Sequence, residues 1–340
     1  MKFATFRNGT ADGQLLLVSR DLSHCVTTLP IVVTLSDALR HWPSVQASLQ
    51  SLSDELNAGQ AMGMRRFEGV PLLAPLPKPA QWCVGSAFDC HRQLLTRANQ
   101  AGLVPTLTPP PLMYRGNAEA LLGPVVDVDL PYDTLGIDFE GGFAVAVGPV
   151  PAGCRAGDAA ASIRLVMQCN TWTLRQVAAE GAGIDFDRGA DRGETASGDT
   201  QSCWTRPVTS FAPVAVTPDE LGCAWHDGRV DLALHVAVNG QRFGKPHGRE
   251  MSQGFPDLVA QAARVRGLGA GSLVGCGVVS NVDRGAGTAS IAERRCIEFL
   301  VHGSARTPYL RFGDRVRMTA RDAIIGAPFG ATEQAVVRSR

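Results

Sequence analysis

The eleven residues from Asp138 to Gly148, DFEGGFAVAVG, constrain the fold more than any other stretch of this chain. Phe143, Val145 and Val147 alternate with Ala144 and Ala146. That period of two predicts a strand with one wide face and one tight face. Glu140 shares a face with position 142, where a second carboxylate would set two hard oxygen ligands side by side, as Mg²⁺ or Ca²⁺ prefers. The residue there is Gly142, so Glu140 stands alone.

Other segments repeat the strand signal, at 125–130, 230–238, 272–280, 296–301 and 314–320, with Asn239-Gly240 as a hairpin turn. Residues 2–18 read as two short strands joined by the turn sequence NGTADG. Helices are few. Leu35, Leu39, Trp42, Val45, Leu49, Leu52 and Leu56 recur every three or four residues, predicting one or two helices over 35–57 with a break or kink at Pro43. Two further helices are expected at 161–180 and from Pro256, and Thr217 to Glu220 reads as a capping box around a single turn. The four prolines of 70–82 suit an extended connector, which puts a boundary near residue 75 between a small N-terminal β-rich domain, 1–75, and a larger domain, 76–340. The fold class is α+β and strand-rich. Residues 181–202 are Gly, Asp, Arg and small polar residues, the composition of a surface loop that is either a lid or a tolerated insertion.

Lys and Arg together number 32, as do Asp and Glu, so no overall field favours nucleic acid or an anionic membrane. The expected partner is a small molecule. No apolar run approaches the roughly 18 residues of a membrane span, and the start MKFATFRNG lacks a signal-peptide core, so a cytoplasmic location is expected. The nine cysteines form no C-x-x-C pair and suit reduced, mostly packing thiols.

Six motifs in order, PLMYRGN (111–117), GIDFE (136–140), RLVMQCNTW (164–172), SFAPVAVTPDELG (210–222), GSLVGCGVVSN (271–281) and SIAERRCIEFL (290–300), give the whole chain a resemblance to two-domain bacterial members of the fumarylacetoacetate hydrolase family. The resemblance implies a small N-terminal β domain, a large mixed-strand β-roll domain and a homodimer. It also implies C–C cleavage, decarboxylation or tautomerisation of dicarbonyl or oxo acids at a divalent metal held by four carboxylates. His91 falls where the family has its general base, and Glu293 where it has the carboxylate that orients that base. Of the four metal carboxylates only Glu140 is retained; Val84, Gly142 and Thr171 stand at the other three positions. One carboxylate does not satisfy a hard cation that wants about six oxygens, so neither a bound catalytic metal nor another cofactor is expected.

Arg206 stands for the family's substrate-binding lysine, Arg175 for an arginine near the reacting water, and Tyr114 for a substrate-facing tyrosine. Val278 replaces a threonine whose hydroxyl meets the substrate carboxylate. Asp89, Asp185, Asp187 and Asp191 read as solvated charges. Together these residues predict an enzyme that isomerises, dehydrates, cyclises or cleaves an enolisable keto or dicarbonyl substrate by metal-independent acid/base chemistry. Its catalytic residues are His91 and Glu293, and its substrate-binding residues are Arg175, Arg206 and Tyr114. The alternatives are a non-catalytic ligand-binding or heteromer-forming homologue, and an ordinary metal-dependent C–C hydrolase. Val84, Gly142 and Val278 predict a ligand bulkier or less charged than the family's.

Overall fold

The structure, a computed structural model, describes residues 1–102, 113–177 and 204–339. Its centre is β9 (Ile137–Val147), every residue of which is buried. The alternation seen in the sequence divides two cores. Ile137, Phe139, Phe143, Val145 and Val147 enter the larger cluster, while Ala144 and Ala146 enter a second one with Phe3, Leu15 and Leu17.

β9 pairs along its whole length with β10 (Ile163–Leu174), so the helix expected at 161–180 is corrected to a strand over most of its span. β10 is buried on both faces, Leu165, Met167 and Cys169 on one side and Val166, Trp172 and Leu174 on the other. A central strand of this kind has no polar face to mark its period, so the long partner decides its conformation. The second correction runs the other way. Residues 296–301, read as a strand, lie inside a helix, Ile291–His302, that starts on the N-cap Ser290 and stops at the left-handed Gly303. The run Ile297 to Val301, apolar but for Glu298, carries β propensity, and the caps together with packing outweigh it.

Strands β1 (Lys2–Phe6), β2 (Gln14–Val18), β3 (His24–Thr27) and β4 (Arg65–Arg66) form an antiparallel ladder. Helix α1 (Leu35–Arg40) begins at Thr34, whose hydroxyl accepts the Asp37 N–H at 3.1 Å. Pro43 falls in the first turn of α2 (Trp42–Asn57), where its missing N–H costs nothing. The helices bury Leu35, Leu39, Trp42, Leu49 and Leu56 against the strands.

The remaining strands of this sheet are β5 (Trp82–Gly85), β6 (Met113–Arg115), β7 (Leu121–Leu122), β11 (Val208–Phe211) and β12 (Ala215–Val216), with one more from Ser272–Gly275. The twelve strands run β4-β3-β2-β1-β12-β10-β9, then Ser272–Gly275, β5 and β6; β11 lies on β10 and carries β7. The sheet crosses residue 75 without interruption, since β1 bonds to β12 through Lys2 and Val216. Thr217 does not close the expected capping box; its hydroxyl accepts the Met1 amine at 2.6 Å.

A second sheet of five strands contains β8 (Val128–Leu130), Ala233–Val238, Gln241–Gly244, Arg315–Arg321 and Thr332–Arg338. Asn239 and Gly240, both at positive φ, make the tight turn between its second and third strands. The buried Gln168 ties the two sheets, donating to the Met318 carbonyl at 3.1 Å and accepting from the Ala320 N–H at 2.6 Å. The strands expected at 125–130 and 272–280 are real but short. After Gly275 the chain leaves the sheet, and Cys276, Gly277 and Val278 line a pocket.

Two glycines let these layers meet. A Cβ on Gly141 would lie 2.8 Å from Leu234 and 2.9 Å from Met318 of the second sheet, and one on Gly142 would lie 2.3 Å from the Gly277 carbonyl on the opposite face. Helix α3 (Asp89–Gln100) follows β5 and packs through Leu94, Leu95 and Ala98 on Ala292 and Cys296 of the Ile291–His302 helix. No helix among the described residues is long and apolar enough to cross a membrane.

Candidate active site

His91 sits in the first turn of α3, and Glu293 in the first turn of the Ile291–His302 helix packed beside it. His91 Nδ1 lies 3.3 Å from Glu293 Oε2, and both side chains are buried. The other carboxylate oxygen of Glu293 accepts a short hydrogen bond from Ser280 Oγ and a second from Arg284 Nη1 at 3.2 Å. The carboxylate is thus held by three partners and in turn fixes the ring.

A denser group of charges lies across the pocket. Arg175 donates from Nη2 to Glu140 Oε1 at 2.6 Å and from Nε to Asp138 Oδ2 at 2.9 Å. Arg206 approaches Glu140 from the other side, at 3.4 Å from Nε and 3.5 Å from Nη2, and lies 4.5 Å over the Tyr114 ring. Burial opposes ionisation of Glu140, but Arg206 and Arg175, assisted by His91, outweigh it and hold its pKa down to about 2. Burial pushes the Tyr114 hydroxyl well up, which keeps it neutral. Asp138 is fully buried; burial raises its pKa, while Arg175 and the N–H groups of Ile291 at 2.7 Å and Ala292 at 3.0 Å pull the other way. Asp138 therefore joins Arg175 to the start of the helix that bears Glu293.

His91, Tyr114, Glu140, Arg175, Arg206 and Val278 line one pocket, together with Gly85 to Phe88, Leu95, Cys276 and Gly277. Glu293 stands behind His91. Asp89 is not among the lining residues and pairs with Arg92 at 2.8 Å. The 181–202 segment, with Asp185, Asp187 and Asp191, lies outside the described residues. Asp138, Ser280 and Arg284 went unread in the sequence. The signal for the first was its place in GIDFE, two residues before Glu140 on the same strand face; the spacing Ser290 to Glu293 marked the helix start that Asp138 serves.

The residues present do not fit a divalent metal. Both oxygens of Glu140 already accept from guanidinium groups. At the other three positions Val84 is packed in an apolar cluster, Gly142 has no room for a side chain, and Thr171 Oγ1 lies 3.3 Å from Thr209 Oγ1. No group of three or more His, Cys, Asp or Glu side chains suited to a metal converges among the described residues.

Fold and site together define a strand-rich protein with a small-molecule pocket, in which a histidine–carboxylate pair faces a buried arginine–carboxylate cluster. Residues 1–78 match the family described as fumarylacetoacetase N-terminal domain 2, and residues 80–337 match the fumarylacetoacetate (FAA) hydrolase C-terminal family. The chain belongs to the fumarylacetoacetate hydrolase family. No curated protein matches it. Among solved structures it is similar to a probable 2-hydroxyhepta-2,4-diene-1,7-dioate isomerase from Mycobacterium abscessus, with TM-score 0.64, 16% identity, and 100% of this chain and 98% of that one covered. It is similar to a fumarylacetoacetate hydrolase from Exiguobacterium antarcticum, with TM-score 0.64, 17% identity and both chains fully covered at 100%. A maleylpyruvate hydrolase from a Sphingobium species, solved with manganese(II) and pyruvate, has TM-score 0.61 and 15% identity, again with 100% of each chain covered. At such identities the likeness is one of fold.

Proposed function

We propose that this protein is an enzyme performing acid/base chemistry on a small enolisable keto or dicarbonyl substrate, without a metal, with His91 as the acid/base and Glu293 as its orienting partner. The observation that carries the reading is the buried 3.3 Å contact between His91 and Glu293 at the wall of a pocket that also holds Arg206. With Nδ1–H directed at Glu293, the Nε2 lone pair takes a proton from the carbon beside the substrate carbonyl. The electron pair moves to the carbonyl oxygen, where the guanidinium charge of Arg206 or Arg175 stabilises the enolate. Returning the proton to a different carbon isomerises the substrate; returning it to a departing β-group gives elimination, whereas C–C cleavage would need His91 to deprotonate a water that adds to a carbonyl, the enolate then leaving and taking up that proton. Asp138 would set the position of Glu293 through the helix start, and Arg284 and Ser280 would keep Glu293 an acceptor.

The metal hydrolysis typical of the family lacks support in this donor set. A second reading, ligand binding without turnover, is favoured by one specific observation: Glu140, Arg175, Asp138 and Arg206 satisfy one another as a structural cluster does. Deuterium exchange at the carbon beside the carbonyl of a panel of 2-oxo acids, followed by NMR in D₂O, tests the choice. Exchange that His91→Ala abolishes supports catalysis; exchange at the solvent rate for every ligand that binds supports binding alone.

A further inference from the structure

The pocket has one polar wall and one apolar wall, and together they limit what it can hold. On the polar side the two guanidiniums are not equivalent. Arg175 is committed at short distances to Asp138 and Glu140, and its side chain is 9% exposed. Arg206 makes longer contacts to Glu140, is 15% exposed, and lies 4.5 Å over the Tyr114 ring. Arg206 is therefore the cation with capacity left to grip a planar anion by its fork. The charges of Arg175, Arg206, Glu140 and Asp138 sum to zero, and among the described lining residues no other Lys or Arg is present. A second carboxylate would meet no further Lys or Arg in the lining and would face Glu140, which stays ionised far below neutral pH. The other wall is formed by the apolar side chains of Phe88, Leu95 and Val278, with the small Ser86 hydroxyl beside them in the lining.

We propose that the ligand is a 2-oxo acid carrying a single carboxylate and an apolar, preferably flat, tail. The carboxylate is bound by Arg206 and the tail by the wall of Phe88, Leu95 and Val278. The proposal rests on the acid/base reading, because the enolisable carbon then lies between the two walls, beside His91.

Phenylpyruvate and 2-oxoglutarate are the probes, with binding measured by calorimetry and exchange at C3 by NMR. Phenylpyruvate should bind at least ~tenfold more tightly than 2-oxoglutarate, and Arg206→Ala should weaken it by about tenfold or more. Arg206→Lys, which keeps the charge and loses the fork, should fall between the two and covers the case in which the alanine variant fails to fold. Equal or tighter binding of 2-oxoglutarate, no binding of either probe, or phenylpyruvate binding indifferent to Arg206→Lys and Arg206→Ala would overturn the assignment. His91→Ala separates the two readings. Phenylpyruvate bound through Arg206 but exchanged equally by wild type and His91→Ala leaves the ligand class standing and removes the acid/base role. His91-dependent exchange of 2-oxoglutarate alone does the reverse.

Discussion

The two ends of the pocket handle a buried carboxylate differently. At one end Glu140 is clamped by the buried Arg175 and the partly exposed Arg206. At the other, Glu293 meets His91, Ser280 and the half-exposed Arg284. The first arrangement fixes charge, because arginine does not release its proton. The second joins a carboxylate to an imidazole, whose two ring nitrogens can each donate or accept a hydrogen bond. On the proposed reading, a pocket built this way holds an anion at one end and moves a proton at the other.

The sharpest way to break the comparison is to remove the fixed end. Glu140→Gln leaves Arg175 and Arg206 short of a counter-charge in a buried site, and should cost about 3–5 kcal/mol of stability by urea unfolding. A loss below ~1 kcal/mol would mean that the cluster is more hydrated than its burial indicates. The same variant carries a pH signature. The folded pKa of Glu140 is depressed from 4.5 to about 2, so its contribution is fully present above pH 4.5 and is lost as pH falls through about 2. The stability gap between wild type and Glu140→Gln should narrow over that window and not above it.

His91→Ala tests the mobile end. Exchange or turnover should fall by roughly 10²–10⁴-fold, with the unfolding midpoint little changed, since the pocket can hydrate the space. A large loss of stability with activity retained would make the dyad structural. Asp138→Asn tests the link between the ends. It weakens the pair with Arg175 and the bonds to Ile291 and Ala292, and should cost about 1–3 kcal/mol while lowering exchange at fixed Arg206 affinity. If both ends respond equally, Asp138 serves the fold alone. Gly142→Ala tests the close approach of the turn to β9. Its Cβ would meet the Gly277 carbonyl at 2.3 Å, so backbone must move, at about 1–3 kcal/mol by thermal unfolding.

The close approach at Gly142 also explains why the missing carboxylates do not read as isolated lesions. With no side chain at 142, the Cys276 to Val278 turn closes on β9, and two guanidiniums bind Glu140 from the remaining sides. The sequence showed which ligands were absent. It did not show that backbone and arginine had taken up the space.

What the sequence by itself determined is local or periodic. The alternation at 143–147 defined a strand, Asn239-Gly240 a hairpin, and the helical stripe from Leu35 to Leu56 the N-terminal layer, because each depends on residues close along the chain. The six ordered motifs carried the family and contain Tyr114, Glu140 and Val278 of the pocket, while His91, Arg175 and Arg206 fall outside them. Two elements were misread for complementary reasons. β10 is buried on both faces and is set by its pairing with β9, whereas 296–301 looks like a strand and is set by Ser290, Gly303 and the N–H groups of Ile291 and Ala292 donating to Asp138. Only the tertiary structure decided how the charges are shared. Arg206 is 66 residues from Glu140 and Glu293 is 202 from His91, and which carboxylate each cation meets depends on distances that folding, not spacing, sets.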